Sequence, residues 1–145
     1  MRYILATIRL ILLAINTILF ISTGRLLYAM THESPKVSRF IVRNWAKASM
    51  LILNIRVHRT GQEPIKHAIL MSNHRSYIEI FSILSVYPAT IVAKKELGDW
   101  PILKGAVHIA RMILVDRGRT SSLIHTMQSI KNEIDNGGNV ILFPE

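Results

Sequence analysis

The sequence predicts an α/β protein in which an N-terminal, membrane-associated helical hairpin precedes a layered α/β domain. Residues 3–30 are almost wholly apolar, and a basic amphipathic stretch follows from Pro35. Beyond Asn54 the pattern shortens to β-rich runs separated by helical stretches of about 10–20 residues, as expected of strands and helices alternating in layers. A chain of 145 residues supports one such domain, not two. The expected division is residues 1–54 for the membrane-associated helices and residues 55–145 for the α/β domain.

The first helix carries Arg2, Arg9, Asn16 and Thr23 at intervals of seven, which makes one narrow polar stripe on a greasy cylinder. Between Arg9 and Arg25 only 15 residues are free of charge, fewer than the ~20 that span a bilayer unless Arg9 snorkels. A signal peptide is the competing reading; Arg2 suits it, but no small-x-small cleavage site follows. Ser34 and Pro35 then read as the cap and first residue of a second helix. Lys36, Arg39, Arg43 and Lys47 fall on one side, and Val37, Phe40, Ile41, Trp45, Ala48 and Ile52 on the other. Such a helix lies in a headgroup layer, with its charges on the anionic cytoplasmic side, or else covers a protein core.

Further along, residues 55–59 alternate like a strand before a turn at Thr60-Gly61, and residues 68–72 form a compact apolar run. A helix is expected over about residues 76–86, closed by Pro88, then a strand over 90–93 and a short helix opened by Gly98-Asp99-Trp100-Pro101 and running through about Ala110. Residues 112–115 read as a buried strand. Residues 120–136 read as a helix with an inner stripe of Leu123, Met127, Ile130 and Ile134 that stops at Gly137, and residues 139–143 as a last strand. The sequence closes at Glu145, one step past that strand, so the sheet is expected to be incomplete and the chain a fragment.

With 18 basic and 9 acidic residues the net charge is +9, which suits an anionic partner, either nucleic acid or a membrane surface. Half of the residues are apolar. The few aromatics do not interleave with the basic residues as in a base-stacking platform, so the membrane is favoured and nucleic acid is not expected. There is no cysteine, which excludes disulfides, thiolate zinc sites and a cysteine nucleophile. His58, His67, His108 and His125 have no spacing to acids or to one another that implies a metal site, and none is expected.

The chemistry-bearing stretch is Ser72-Asn73-His74-Arg75-Ser76-Tyr77-Ile78-Glu79. A carboxylate that orients an imidazole is the minimum apparatus for taking a proton from an alcohol. Inside one regular helix, His74 and Glu79 would stand about 140° apart. They can meet only if His74 precedes the helix and folds back over its first turn. The bland alternative is a lone polar histidine at a strand end. No serine lies in a nucleophile-elbow sequence, and with no cysteine either the sequence marks no covalent nucleophile. Arg117, after a buried strand, suits a bidentate phosphate clamp, or a surface pair with Asp116. Lys94 and Lys95 either attract an anionic headgroup or are merely solvated.

Three blocks together resemble the 1-acyl-sn-glycerol-3-phosphate (lysophosphatidate) acyltransferase family. Asn73-His74 with Glu79 stands in the place of that family's Asn-His-x-x-x-x-Asp. Ile113-Leu114-Val115-Asp116-Arg117 matches a second block, with Ala93-Lys94-Lys95-Glu96-Leu97, Pro101 and Gly105 as its lead-in. Phe143-Pro144-Glu145 matches the start of Phe-Pro-Glu-Gly-Thr-Arg-Ser.

The resemblance implies an acyltransferase domain that moves a fatty acyl group from a thioester to the free sn-2 hydroxyl of lysophosphatidate, giving phosphatidate. His74 would be the base and Glu79 its orienting partner, with Asn73, Arg117, Phe143, Pro144 and Glu145 at the substrate. The implied partners are a lysophospholipid, an anionic membrane surface and an acyl donor on coenzyme A or acyl carrier protein, with no cofactor. The implied place is the cytoplasmic face of a bacterial inner membrane or its equivalent. Another glycerolipid acceptor, or a non-catalytic, truncated lipid-binding chain, are the alternatives. Glu79 departs from the family's aspartate by one methylene and one rotor.

Overall fold

A computed structural model describes residues 2–62, 67–116 and 118–144. Helices α1 (Arg2–Thr31) and α2 (Pro35–Leu53) form the hairpin; strand β1 (Ile69–Met71), helix α3 (Tyr77–Val86), strand β2 (Thr90–Lys94), a 3₁₀ turn (Lys95–Asp99), helix α4 (Pro101–Ile109), strand β3 (Ile113–Val115), helix α5 (Thr120–Asp135) and strand β4 (Val140–Leu142) follow. This is the predicted α/β class, with a long apolar helix ahead of a parallel sheet.

All pairings are parallel, and the strand order is β1-β4-β2-β3. Leu70, Ile141 and Ile91 stand in register across three strands and join a core with Phe20, Ile41, Val42, Ala46, Leu84 and Ile109. Because successive side chains on a strand alternate faces, Val140 and Thr90, both buried, point to the opposite layer, where α5 packs on β3 and β4. The hairpin therefore contributes Phe20, Ile41, Val42 and Ala46 to the core that the sheet also builds.

The hairpin is fixed by close contacts and two hydroxyls. Gly24 meets the Ile109 side chain so closely that an added Cβ would lie 2.6 Å from Ile109 Cγ2. The hydroxyls of Tyr28 and Ser38 both donate to the Ile109 carbonyl, each at 2.7 Å, which satisfies a carbonyl at the end of α4 that has no intrahelical partner. Asn16 donates to the Trp45 carbonyl and to Ser49 Oγ, and Phe20 stacks on Trp45 at 5.1 Å. Thus α1 and α2 are antiparallel. Ile21 contacts Gly105, Gly24 and Tyr28 contact Ile109, and Arg111 donates to the Glu33 carbonyl. Hence α1 runs in the same sense as α4, from the carboxyl edge of the sheet toward its amino edge. The nearly four turns of α1 that precede Asn16 extend about 20 Å beyond the contacts there, on the carboxyl-edge side, and are largely exposed and apolar.

Several expectations are corrected. Residues 55–60 form no strand: Ile55 N–H closes the end of α2 on the Met50 carbonyl, and the alternation that follows lies along an exposed surface segment. On α5 the buried positions are Thr126 and Glu133, whereas Leu123 and Met127 are exposed. The Thr126 hydroxyl is spent on the Ser122 carbonyl at 2.8 Å, and Arg39 accompanies the buried Glu133 at 3.0 Å. On α2 the buried face is Ser38, Ile41, Val42, Ala46, Ser49 and Met50, and Phe40 is exposed. Ser34 occupies the cap position without a side-chain cap bond. The stop after α5 holds, with Gly137 at φ +82°, a conformation a Cβ disfavours.

Candidate active site

In a parallel sheet every strand ends on the same edge, where ligands bind in α/β folds. Here Asn73 and His74 follow β1, Lys94 and Lys95 end β2 and begin the 3₁₀ turn, Asp116 follows β3, and Phe143 and Pro144 follow β4. The pairing Met71↔Leu142, extended by Ser72 N–H on the Leu142 carbonyl at 3.1 Å, brings the His74 and Phe143 rings to 4.6 Å between centroids, tilted by 43°.

His74 lies ahead of α3, as the angular argument requires. Ser76 caps that helix by accepting from Ile78 N–H at 3.3 Å, and Glu79 in the first turn accepts from Arg75 N–H at 2.8 Å. This reciprocal arrangement is close to a capping box, and the negative charge also suits the helix N-terminus. It holds Glu79 Oε2 3.7 Å from His74 Nδ1, with both side chains about one-third exposed (30% and 32%). That separation is a close approach of the carboxylate to the ring nitrogen, beyond hydrogen-bond range. Tyr77, which the sequence reading did not single out, stands edge-on to His74 at 6.3 Å. Its place one step inside α3, with its side chain turned out to solvent, gave no periodic signal.

Across the edge, Asp116 draws together Lys95 at 3.7 Å and Arg119 at 3.8 Å. Its Oδ1 accepts from Gly118 N–H, and its own N–H donates to Ser122 Oγ at 3.0 Å. The aspartate thus sets the turn that leads into α5. Lys94, Asn73 and Pro144 are exposed at the same edge. Arg117 and Glu145 lie outside the described residues. Among the described residues no group of three or more histidine, aspartate or glutamate side chains converges as a metal site.

A family model described as Acyltransferase matches residues 54–145. Among curated proteins, the chain is 27% identical over 131 residues to a 1-acyl-sn-glycerol-3-phosphate acyltransferase of Neisseria gonorrhoeae, covering 89% of this chain and 51% of that protein. It is 30% identical over 111 residues to a lyso-ornithine lipid O-acyltransferase of Rhizobium meliloti (strain 1021), covering 76% and 38%. It is 34% identical over 83 residues to a 1-acyl-sn-glycerol-3-phosphate acyltransferase of Limnanthes alba, covering 55% and 30%. The chain therefore spans about half the length, or less, of these relatives. No solved structure matches.

Proposed function

The chain belongs to the acyltransferase family, and from that premise we propose that the protein transfers a fatty acyl group from a thioester to the free sn-2 hydroxyl of lysophosphatidate at a membrane surface. The observation that carries this reading is the meeting of His74, Glu79 and Phe143 at the carboxyl edge, on the side where the apolar turns of α1 project.

With Nδ1 turned to Glu79, Nε2 of His74 is the ring nitrogen left to take the hydroxyl proton. As the lipid oxygen attacks the thioester carbonyl, the proton passes to Nε2, the C–S bond breaks, and the imidazolium returns the proton to the departing thiolate. General-base help of this kind contributes on the order of 10²–10⁴-fold. Glu79 favours the imidazolium that forms. Closing the 3.7 Å gap by about 1 Å on substrate binding would make the contact a hydrogen bond, and such contacts are commonly long before substrate arrives. Asn73, Phe143 and Pro144 would line the substrate beside the base, and Arg117 and Glu145 would complete the acceptor side. Residues 1–54 would be the membrane-associated part and residues 55–145 the acyltransferase domain.

A phosphate-bearing acceptor is supported by the cations at the carboxyl edge, Lys94, Lys95 and Arg119. The donor would be acyl-CoA or acyl-acyl carrier protein, and no cofactor is invoked. The basic, acid-free α2 supports placement on an anionic, cytoplasmic leaflet. A lyso-ornithine lipid acceptor is the second reading, favoured by the relative bearing that name. The test is acyl transfer by the full-length protein to lysophosphatidate and to lyso-ornithine lipid in parallel. Turnover confined to lysophosphatidate and lost in His74→Ala is expected. Turnover confined to lyso-ornithine lipid would replace the acceptor. Transfer that His74→Ala leaves intact would remove the base, and no transfer to either would favour a lipid-binding role.

A further inference from the structure

Between α1 and α2 runs a groove of about 290 Å³, walled by Leu19, Thr23 and Leu27 on one side and Phe40 and Asn44 on the other, with the stacked Phe20–Trp45 pair at its floor. It lies on the hairpin, and none of the residues placed at the candidate active site lines it. Its polar groups are spent within the helices that make it. Thr23 Oγ donates to the Leu19 carbonyl at 2.7 Å, Asn44 Nδ2 to the Phe40 carbonyl at 2.8 Å, and Asn16 Nδ2 to Trp45 and Ser49. What remains exposed is chiefly carbon, so the groove suits an apolar occupant.

The outer flank of its Phe40 wall is cationic. On ideal 100° steps, Lys36 and Lys47 fall within about 40° of Phe40 around α2, and Arg43 within about 60°. α2 has no acidic residue, and among the described residues Lys36, Arg43 and Lys47 enter no ion pair; on this helix Arg39 alone does, with Glu133. An apolar slot flanked by unpaired cations is complementary to one kind of molecule, an acyl chain joined to an anionic headgroup. The rest of α1 is exposed and apolar, so the source of that molecule is the surrounding bilayer.

We propose that the α1–α2 groove is a non-catalytic site for an anionic glycerophospholipid, with one acyl chain against Phe20, Phe40 and Trp45 and the headgroup phosphate over Arg43 and Lys47, i,i+4 neighbours on α2. The bound lipid seals the hairpin where protein contacts leave it open. The inference rests on the membrane placement proposed above, not on the chemistry assigned to His74.

Trp45 reports on the site directly, since the only other tryptophan, Trp100, can be replaced by phenylalanine. The whole chain carrying Trp100→Phe is mixed with phosphatidylcholine vesicles doped with phosphatidylglycerol brominated in its acyl chains. Trp45 fluorescence should quench in a saturable way at low mole fraction of brominated phosphatidylglycerol. At equal bromine, brominated phosphatidylcholine should quench at least several-fold less. Thr23→Phe, which fills the slot, and Arg43→Gln with Lys47→Gln should each remove the saturable component while the protein still floats with vesicles. Flotation with quenching that rises linearly, or equally for both headgroups, would overturn the lipid site and leave the membrane placement standing. Failure to float at all would overturn the membrane placement and the lipid site with it.

Discussion

The His74 imidazole rests against the Phe143 ring at 4.6 Å, although 69 positions separate them in the chain. Strand pairing alone achieves this: β1 and β4 are neighbours in register, and each residue lies just past its strand. The phenyl ring occupies one face of the imidazole and limits the orientations open to it.

Replacing Phe143 with alanine should therefore loosen the proposed base, His74, without removing it. An aromatic contact of this kind contributes roughly 0.5–1.5 kcal/mol beyond buried area, which corresponds to as much as about tenfold in rate. Steady-state kinetics of the full-length protein should show a fall in kcat that Phe143→Tyr largely restores. A fall confined to KM would assign Phe143 to substrate binding instead.

Glu79 has two tasks, and two substitutions separate them. Glu79→Gln keeps an oxygen for Arg75 N–H, bonded at 2.8 Å, but removes the charge 3.7 Å from His74. It should lower kcat by about 10-fold or more and change the unfolding free energy by less than about 1 kcal/mol. Glu79→Asp restores the charge on a shorter arm. It should recover activity if the helix start shifts to keep the carboxylate near Nδ1, and equal loss in both variants would show that reach matters more than charge.

Asn139 ties the starts of three strands together. Its Oδ1 accepts from Ala68 N–H at 3.1 Å, its Nδ2 donates to the Pro88 carbonyl at 3.3 Å, and its carbonyl accepts from Thr90 N–H at 2.8 Å. Asn139→Ala strands a part-buried donor and acceptor and should cost about 1–3 kcal/mol in urea unfolding. Asn139→Asp retains the acceptor but loses the donor and should fall between the two.

The Arg39–Glu133 pair joins α2 to α5 at 3.0 Å, with only 8% of the glutamate side chain exposed. Arg39→Ala leaves that carboxylate buried and unpaired, at a cost of roughly 2–4 kcal/mol. Replacing both residues, Arg39→Met with Glu133→Leu, should recover most of the loss. If the double variant is no better than the single, packing rather than charge holds this corner.

Gly24→Ala should destabilise by about 1–3 kcal/mol, because its Cβ would meet Ile109, despite alanine's better helix propensity. Ile109→Val in the same chain should relieve part of that cost, as read by the thermal midpoint in detergent.

What the sequence disclosed depended on how far apart the partners lie. The limits of α5, the turn at Gly137 and the place of His74 ahead of α3 were readable from periodicity, capping and the helix angle, all local quantities. The Arg39–Glu133 pair spans 94 positions and leaves no local trace. Glu133 reads as an ordinary exposed acid until the fold supplies its partner. Leu123 and Met127 were expected inside because they are apolar at helical spacing, yet both are exposed while Thr126 and Glu133 are buried. The alternation over residues 55–59 misled as well: a strand needs a neighbour, and periodicity cannot say whether one exists.

The strand order has a consequence for how the molecule is made. β4 follows the other three strands in the chain but pairs between β1 and β2, so these two have no common partner until it is synthesised. A nascent chain presents the apolar α1 well before the strand that joins β1 to β2. The segment suited to a membrane is thus available while the sheet between β1 and β2 is still open. Pairing across some 70 residues is slow compared with helix formation. Anchoring before closure would keep the unpaired edges of β1 and β2 at a bilayer surface, away from other nascent chains.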